Sequence, residues 1–226
     1  MHAVQTGPPA MDVGRAAVIG GLALLILGFL GAFANFAVIE RLVVDDNAAQ
    51  TAANIADSES SFRLGVLSLL IVAALDVVVA WALYRVLERV STDLSVLAAW
   101  LRVAYAAILA VATAQLVGLL RLLADDADAF SAEALAGVNA FQDLWSVGLT
   151  LFGLHLILVG YLMYRATYAP TVLGILLVIA GLGYGIDGFG NVMIADYDVS
   201  VAAFTFLGEV VLIFWLLLRG RRLATT

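Results

Sequence analysis

Residues 64–87 have the sequence LGVLSLLIVAALDVVVAWALYRVL, in which Asp76 lies in the middle of an otherwise apolar run. A helix of about 20 apolar residues is long enough to cross the hydrocarbon core of a membrane, which is roughly 30 Å thick. The run therefore predicts a transmembrane helix with a carboxyl group near its midpoint. Arg85 follows near the end of the run, where a long cationic side chain can reach the lipid headgroups.

Five further runs of similar composition predict the rest of an all-α, polytopic membrane bundle. Backbone groups in hydrocarbon must find their hydrogen bonds within the segment, and apolar runs of this length do so as helices. The chain is 64% hydrophobic, against about 45–50% in a soluble domain. We expect one six-helix domain at 16–219 between tails at 1–15 and 220–226. The six predicted transmembrane helices are 16–39, 64–87, 95–120, 142–164, 171–194 and 199–219.

The distribution of arginine predicts the orientation of the bundle. Cytoplasmic loops of membrane proteins carry an excess of Lys and Arg, and the two ends of the predicted helices differ here by seven arginines to three. Both termini are therefore expected in the cytoplasm, with the chain crossing the plasma membrane several times. The richer end carries Arg15, Arg85, Arg89, Arg165, Arg219, Arg221 and Arg222, and the other end carries Arg41, Arg63 and Arg121.

Composition excludes several kinds of chemistry. The net charge of −7 and the pI of about 4.6 argue against nucleic-acid binding, which needs a basic surface. The chain has no cysteine for thiolate metal sites and no lysine for a retinal-type Schiff base. His155 is the only histidine in a predicted helix, so bis-histidine haem is excluded and no cofactor is expected. An acid-rich, lysine-free composition also suits a protein from a salt-loving cell.

Three predicted helices each place one ionisable side chain at a similar depth in the membrane. A rise of 1.5 Å per residue puts Asp76, His155 and Glu209 within roughly 5 Å of one another in depth. Arg102 lies inside the third predicted helix, and its long side chain can reach toward the same level. Charge in hydrocarbon costs about 2.5–3.5 kcal/mol per residue even on lenient scales, so such side chains usually face one another and indicate a function.

The fifth predicted helix adds Tyr184, Asp187 and Asn191, whose i, i+3, i+7 spacing puts them on one face. The deep acids then outnumber Arg102, which is the one deep side chain that is always cationic. A buried carboxylate without a partner takes up a proton instead. The surplus of acids therefore indicates proton or cation handling.

These side chains favour a non-enzymatic membrane protein whose midplane site binds or passes a proton, a cation or a small ligand. Asp76, Arg102, His155, Asp187 and Glu209 would line this site. One alternative is a metal-dependent membrane enzyme, with His155, Asp76 and Glu209 as ligands of a hard or borderline metal. Another is a structural or partner-binding role, in which an Asp76–Arg102 ion pair and a His155–Glu209 hydrogen bond hold the helices together. The lipid bilayer is the one partner expected, and the pattern indicates no particular oligomeric state.

Glycines are concentrated at residues 181–188, which have the sequence GLGYGIDG. Gly181, Gly185 and Gly188 are expected to let neighbouring helices approach closely, as small residues do in membranes. An alternative is a locally loosened helix beside Asp187, like the discontinuous helices of transporters.

Several short stretches of the chain are characteristic when taken together. They are AQTAANI at 49–55, FRLG at 62–65, ALYR at 82–85 after Asp76, LRV at 101–103, FGLH at 152–155, GYLMYR at 160–165, Pro170, LG at 173–174 and GLGY at 181–184 with Asp187. On these stretches the chain resembles a family of uncharacterised prokaryotic six-helix membrane proteins, known as domain of unknown function 4386. The resemblance covers roughly residues 16–219. It implies an integral six-helix membrane protein and brings no established activity with it.

Overall fold

The structure is a computed structural model that describes residues 12–195, 197 and 199–225. Most of the predicted tail at 1–15 lies outside this part of the chain, within which the fold is all-α, as expected. The elements are α1 (Val13–Ala32), a π-helical segment (Phe33–Ile39), α2 (Glu40–Leu42), α3 (Ala48–Asp57), α4 (Glu59–Leu87), α5 (Thr92–Asp125), α6 (Ala127–Arg165), α7 (Thr171–Met193), α8 (Ala202–Thr205), α9 (Leu207–Leu218) and a final 3₁₀ helix (Gly220–Thr225).

Among the described residues, five helical segments are long and apolar enough to cross a membrane. They agree with the predicted polytopic membrane bundle. The sixth predicted helix, 199–219, corresponds to the shorter apolar segment Ala202–Leu218. The five longer segments are Val13–Leu42, Glu59–Leu87, Thr92–Asp125, Asp128–Arg165 and Thr171–Met193.

Residues with short polar side chains, located between the apolar runs, determine where helices begin. The side chains of Asn47, Ser91 and Asp126 accept hydrogen bonds from the first N–H groups of α3, α5 and α6. Such residues are favoured at helix starts because these N–H groups have no partner inside the helix. Pro170 precedes α7, where it continues the extended connection and does not interrupt the helix.

Helices α5 and α6 extend beyond the predicted transmembrane limits at residues 120 and 142. With 34 and 39 residues, they are about 51 and 58 Å long at 1.5 Å per residue. Asp126 alone separates them. The start of α6 has a buried apolar face that includes Phe130, Ala134 and Val138. Gly137 in the same stretch lies against Leu119 of α5, and α6 also packs against α3. The packing of that face explains why the chain remains helical past the hydrocarbon.

Helix α3 contains the AQTAANI stretch and packs on α6. Thr51 and Ile55 are fully buried. The Val44 N–H donates to Thr51 Oγ1 at 2.9 Å, and Asn54 Nδ2 donates to the Leu42 carbonyl oxygen at 3.0 Å. These bonds fasten the connection between the first two transmembrane segments to the end of the bundle, so this stretch has a structural role.

Glycines bring α6 and α7 into direct backbone contact. A Cβ atom on Gly181 would lie 2.5 Å from the Gly153 carbonyl oxygen, and one on Gly160 would lie 2.7 Å from the Gly174 carbonyl oxygen. No real Cβ atom tolerates such distances, so only glycine permits this approach. The close helix contact predicted at Gly181 is therefore present.

Two details of the glycine segment differ from the predictions. A Cβ atom on Gly185 would have no neighbour within 4 Å, so this glycine does not make a close helix contact. Helix α7 is continuous past Asp187, so the locally loosened helix is not found there. The interruption lies instead at Phe206, between α8 and α9 in the sixth apolar segment.

Candidate functional site

An ion pair between α4 and α5 lies at the centre of the bundle. Arg102 Nε and Nη2 both donate to Asp76 Oδ1, at 2.9 and 2.6 Å. Each side chain is only 2% exposed. Removing two charges from water costs several kcal/mol per ion, and only close pairing offsets this cost. Because α4 and α5 are consecutive helices, the ion pair fixes how far one is shifted along the other.

His155, on α6, is hydrogen-bonded to α5 through both ring nitrogens. Its Nε2 lies 3.3 Å from Arg102 Nη1, and its Nδ1 lies 2.8 Å from the carbonyl oxygen of Ala98. Arginine can only donate and a carbonyl can only accept. The ring is therefore neutral, with its proton on Nδ1 and its Nε2 accepting from Arg102. The hydrogen bond predicted between His155 and Glu209 is consequently not formed.

The ring of Phe152 lies against the guanidinium group of Arg102. The central carbon of this group lies 5.1 Å from the centroid of the Phe152 ring, a distance at which the ring face attracts a cation. The same ring stacks on His155 and meets Tyr105 at 5.0 Å and the edge of Tyr184 at 5.2 Å between centroids. Phe152 therefore separates the ion pair from α7.

Glu209 joins this group through Tyr184 of α7. The Tyr184 hydroxyl donates to Glu209 Oε1 at 3.0 Å. Glu209 is half-buried and lies in the first turn of α9, just after the interruption at Phe206. Because the Tyr184 ring contacts Phe152, the carboxyl group is connected to the ion pair by aromatic packing and not by a hydrogen-bond chain.

Asp187 and Asn191 do not belong to the cluster, contrary to the prediction. Asp187 accepts hydrogen bonds from the Tyr197 hydroxyl at 2.9 Å and from the Ala202 N–H at 2.8 Å. It thus fastens the segment before α8. Asn191 is exposed and donates to Ser146 Oγ at 2.8 Å. They share a face with Tyr184, but lie about 4.5 and 10.5 Å further along the helix axis.

The structure thus brings together Asp76, Arg102 and His155, with Tyr184 and Glu209 beside them. Sequence reasoning missed Phe152, the ring that connects the two groups. The available signal was its position three residues before His155, which places both side chains on one helical face. An apolar residue in an apolar helix gives no other indication of such a role.

The residues proposed as metal ligands are not arranged as a metal site. In the part of the chain that the structure describes, no three His, Asp or Glu side chains form a group that could hold a metal ion. The guanidinium of Arg102 is bonded to both Asp76 and His155, and Glu209 is bonded to Tyr184. A metal ion at the centre would face a fixed positive charge.

A family model described as domain of unknown function (DUF4386) matches residues 19–220. The chain belongs to this family. An uncharacterized protein of Archaeoglobus fulgidus is 35% identical over 159 residues, which is 70% of this chain and 85% of that protein. This archaeal relative agrees with the prokaryotic character predicted for the DUF4386 family. No solved structure matches the chain.

Proposed function

We propose that the chain crosses the cytoplasmic membrane six times, with both termini in the cytoplasm. Three observations support the sixth crossing and the orientation. Segment Ala202–Leu218 is apolar and helical. Leu217, near its end, lies against Gly21 of α1, and Gly220, just after it, lies against Ala17. Arginines are more numerous at this end of the helices, as expected of a cytoplasmic face.

We propose further that the protein binds and passes a proton through the membrane, with Glu209 as the group that exchanges it. The hydrogen bond from Tyr184 to Glu209 is the observation that carries this proposal. Glu209 is half-buried in an apolar bundle and has a hydroxyl group as its hydrogen-bond donor. A carboxyl group in such surroundings can be protonated and deprotonated without breaking an ion pair.

The burial of the ion pair favours a proton over a larger ion or ligand as the transported species. Asp76, Arg102 and His155 are at most 2% exposed and are bonded to one another, so a ligand at their position would have to displace a bonded partner. In this proposal Arg102 stays in place as a fixed charge, and Glu209 changes its protonation state.

Proton flux into liposomes tests the role of Glu209. Purified protein is reconstituted with a pH-sensitive dye inside the vesicles, and an inward proton gradient is applied. Glu209→Gln is expected to abolish the protein-dependent flux, because an amide does not titrate. Glu133→Gln makes the same change at an exposed position on α6 and is expected to leave the flux unaltered. Equal flux from both variants would contradict the proposal.

A structural role is the second candidate, and the complete burial of the Asp76–Arg102–His155 group favours it. Buried polar side chains commonly hold membrane helices together. This role predicts that Asp76→Asn lowers the melting temperature while the flux per folded molecule stays unchanged. Loss of flux in a variant that retains its melting temperature would exclude this second candidate.

A further inference from the structure

Exposed arginines surround one end of the bundle. Arg15, Arg89, Arg165 and Arg219, together called the arginine rim, are all exposed. Among the described residues, none of these four side chains forms an ion pair or a hydrogen bond. An arginine without a protein partner has five N–H donors to offer to another molecule.

Contacts between helices show that three members of the rim, Arg15, Arg89 and Arg219, lie at a similar depth along the bundle. A Cβ atom on Gly20 would lie 2.8 Å from Ala82 Cβ, and one on Gly220 would lie 2.6 Å from Ala17 Cβ. Helix α1 runs antiparallel to α4 and α9. Gly20 lies opposite Ala82, and Arg15 comes five residues before Gly20. Arg15 therefore lies opposite residue 87, which is five residues after Ala82 and between Arg85 and Arg89. Counting back from Ala17 brings it level with residue 222, three positions after Arg219.

Arg165 lies at the same end, beside the loop between α6 and α7. The Tyr168 hydroxyl in this loop donates to the Val86 carbonyl oxygen at 2.6 Å, which holds the loop against the end of α4. Burial raises the pKa of Tyr168 to about 12, and the charge of Arg89 works against that rise. Arg89 lies three residues after Val86, which Tyr168 contacts, and Arg165 directly precedes the loop.

A belt of exposed aromatic residues marks the membrane border beside the rim. Trp81, Trp100, Tyr161 and Tyr164 are 37%, 68%, 45% and 52% exposed. Tryptophan and tyrosine gather where hydrocarbon meets the lipid headgroups. Arg165, a member of the rim, follows Tyr161 of the belt by four residues, which is about 6 Å along α6. The rim thus lies just outside the belt, at the depth of lipid phosphates.

The acids at this end leave the rim with excess positive charge. Glu88 is paired with Arg85, and Asp12 accepts a hydrogen bond from the Gly14 N–H at the start of α1. Asp93 is the third described acid at this end. The hydrogen bond from Gly14 leaves the charge of Asp12 in place. The four rim arginines therefore outnumber the two described acids at this end that have no ion-pair partner, Asp12 and Asp93, whereas the opposite end is rich in carboxylates.

We propose that the arginine rim binds the phosphate groups of anionic phospholipids in the adjoining leaflet. A guanidinium group matches a phosphate with two parallel hydrogen bonds. Basic clusters next to membrane helices recognise anionic lipids in this way. This proposal does not depend on proton transfer by Glu209, and each can fail without the other.

The melting temperature of the full chain in lipid nanodiscs tests the proposal. Nanodiscs of phosphatidylcholine are compared with nanodiscs that also contain phosphatidylglycerol. The anionic lipid is expected to raise the melting temperature of the native chain, because a ligand that binds only the folded state stabilises it. A variant with all four rim arginines changed to Gln is expected to lose at least half of that increase.

Arg121→Gln is the matched control, because Arg121 is also exposed but lies at the opposite end. It is expected to keep the full increase. The pairs Arg15→Gln with Arg219→Gln, and Arg89→Gln with Arg165→Gln, are each expected to lose part of it. If the fourfold variant folds poorly, these pairs serve in its place. Native mass spectrometry counts the phosphatidylglycerol molecules that each protein retains. It is expected to rank the native chain and the variants in the same order as the melting temperatures.

Three results would overturn the proposal. The first is an equal melting temperature of the native chain in both kinds of nanodisc. The second is an undiminished increase in the Gln variants. The third is the same increase in phosphatidylcholine nanodiscs on addition of inorganic phosphate, which would assign the rim to soluble anions. Higher sodium chloride is expected to reduce the increase, since salt screens exposed charges.

Discussion

Arg102 makes more hydrogen bonds than any other side chain of the buried cluster. It donates to Asp76 twice and to His155 once, and its guanidinium lies over Phe152. Lysine has a single ammonium group and cannot reproduce this planar set of contacts. The identity of this side chain therefore fixes the relative positions of α4, α5 and α6.

Removing one partner of the ion pair is expected to be far more harmful than removing both. Arg102→Met leaves the carboxylate of Asp76 buried without a cation, which typically costs about 3–5 kcal/mol. Arg102→Met combined with Asp76→Leu should recover most of the lost stability, because no charge remains to be buried. Unfolding in mixed detergent micelles measures the free energy. A double variant no more stable than Arg102→Met would refute this account.

Arg63→Met provides the comparison at the surface. Arg63 pairs with Glu59 at 2.6 Å, but both side chains are about half exposed. Exposed pairs contribute roughly 0–1 kcal/mol, so this change should alter stability far less than Arg102→Met.

The members of the cluster were only partly predictable. Asp76, Arg102 and His155 are costly in hydrocarbon, so their presence alone indicated that they meet. Phe152 carries no such cost and was not distinguished from its apolar neighbours. Asp187 was costly too, but its partners are the Tyr197 hydroxyl and two N–H groups at the start of α8. Which backbone groups need a partner depends on where helices end, and this is decided by the tertiary fold.

At the level of secondary structure, the contact between α6 and α7 depends on the absence of side chains. Gly181→Ala should strain the helix pair and cost about 1–3 kcal/mol, as overpacking typically does. Gly185→Ala, in the same helix, should be neutral or stabilising by up to about 1 kcal/mol, because alanine favours helix and nothing lies near its Cβ. Thermal melting of the two variants measures the difference. An equal loss in both would mean that Gly181 does not set the helix separation.

Helix existence was predictable from the apolar runs, whereas several helix limits were not. Hydropathy identifies the segment inside the hydrocarbon, and α5 and α6 continue outside it because an amphipathic face with Phe130 and Val138 packs there. The interruption at Phe206 has no sequence signal such as proline. It is accompanied by tight contact between Gly208 and the backbone of Leu176, which only the assembled bundle brings together.

For the whole molecule, the number of crossings can be tested by labelling, since the chain contains no cysteine. Single cysteines replace exposed residues at Thr92, Ser131, Val199 and Arg219. An impermeant maleimide should label Ser131→Cys and Val199→Cys in intact cells, and Thr92→Cys and Arg219→Cys only after permeabilisation. Labelling of Val199→Cys and Arg219→Cys from the same side would exclude the sixth crossing, and a complete reversal would invert the orientation.

The ion pair also has a consequence for how the chain enters the membrane during synthesis. Only residues 88–91 separate α4 from α5, so Asp76 and Arg102 can meet as soon as both helices leave the translocon. Each charge inserted alone costs about 2.5–3.5 kcal/mol. We therefore expect α4 and α5 to partition into lipid together as a hairpin, with α6 joining afterwards when His155 reaches Ala98.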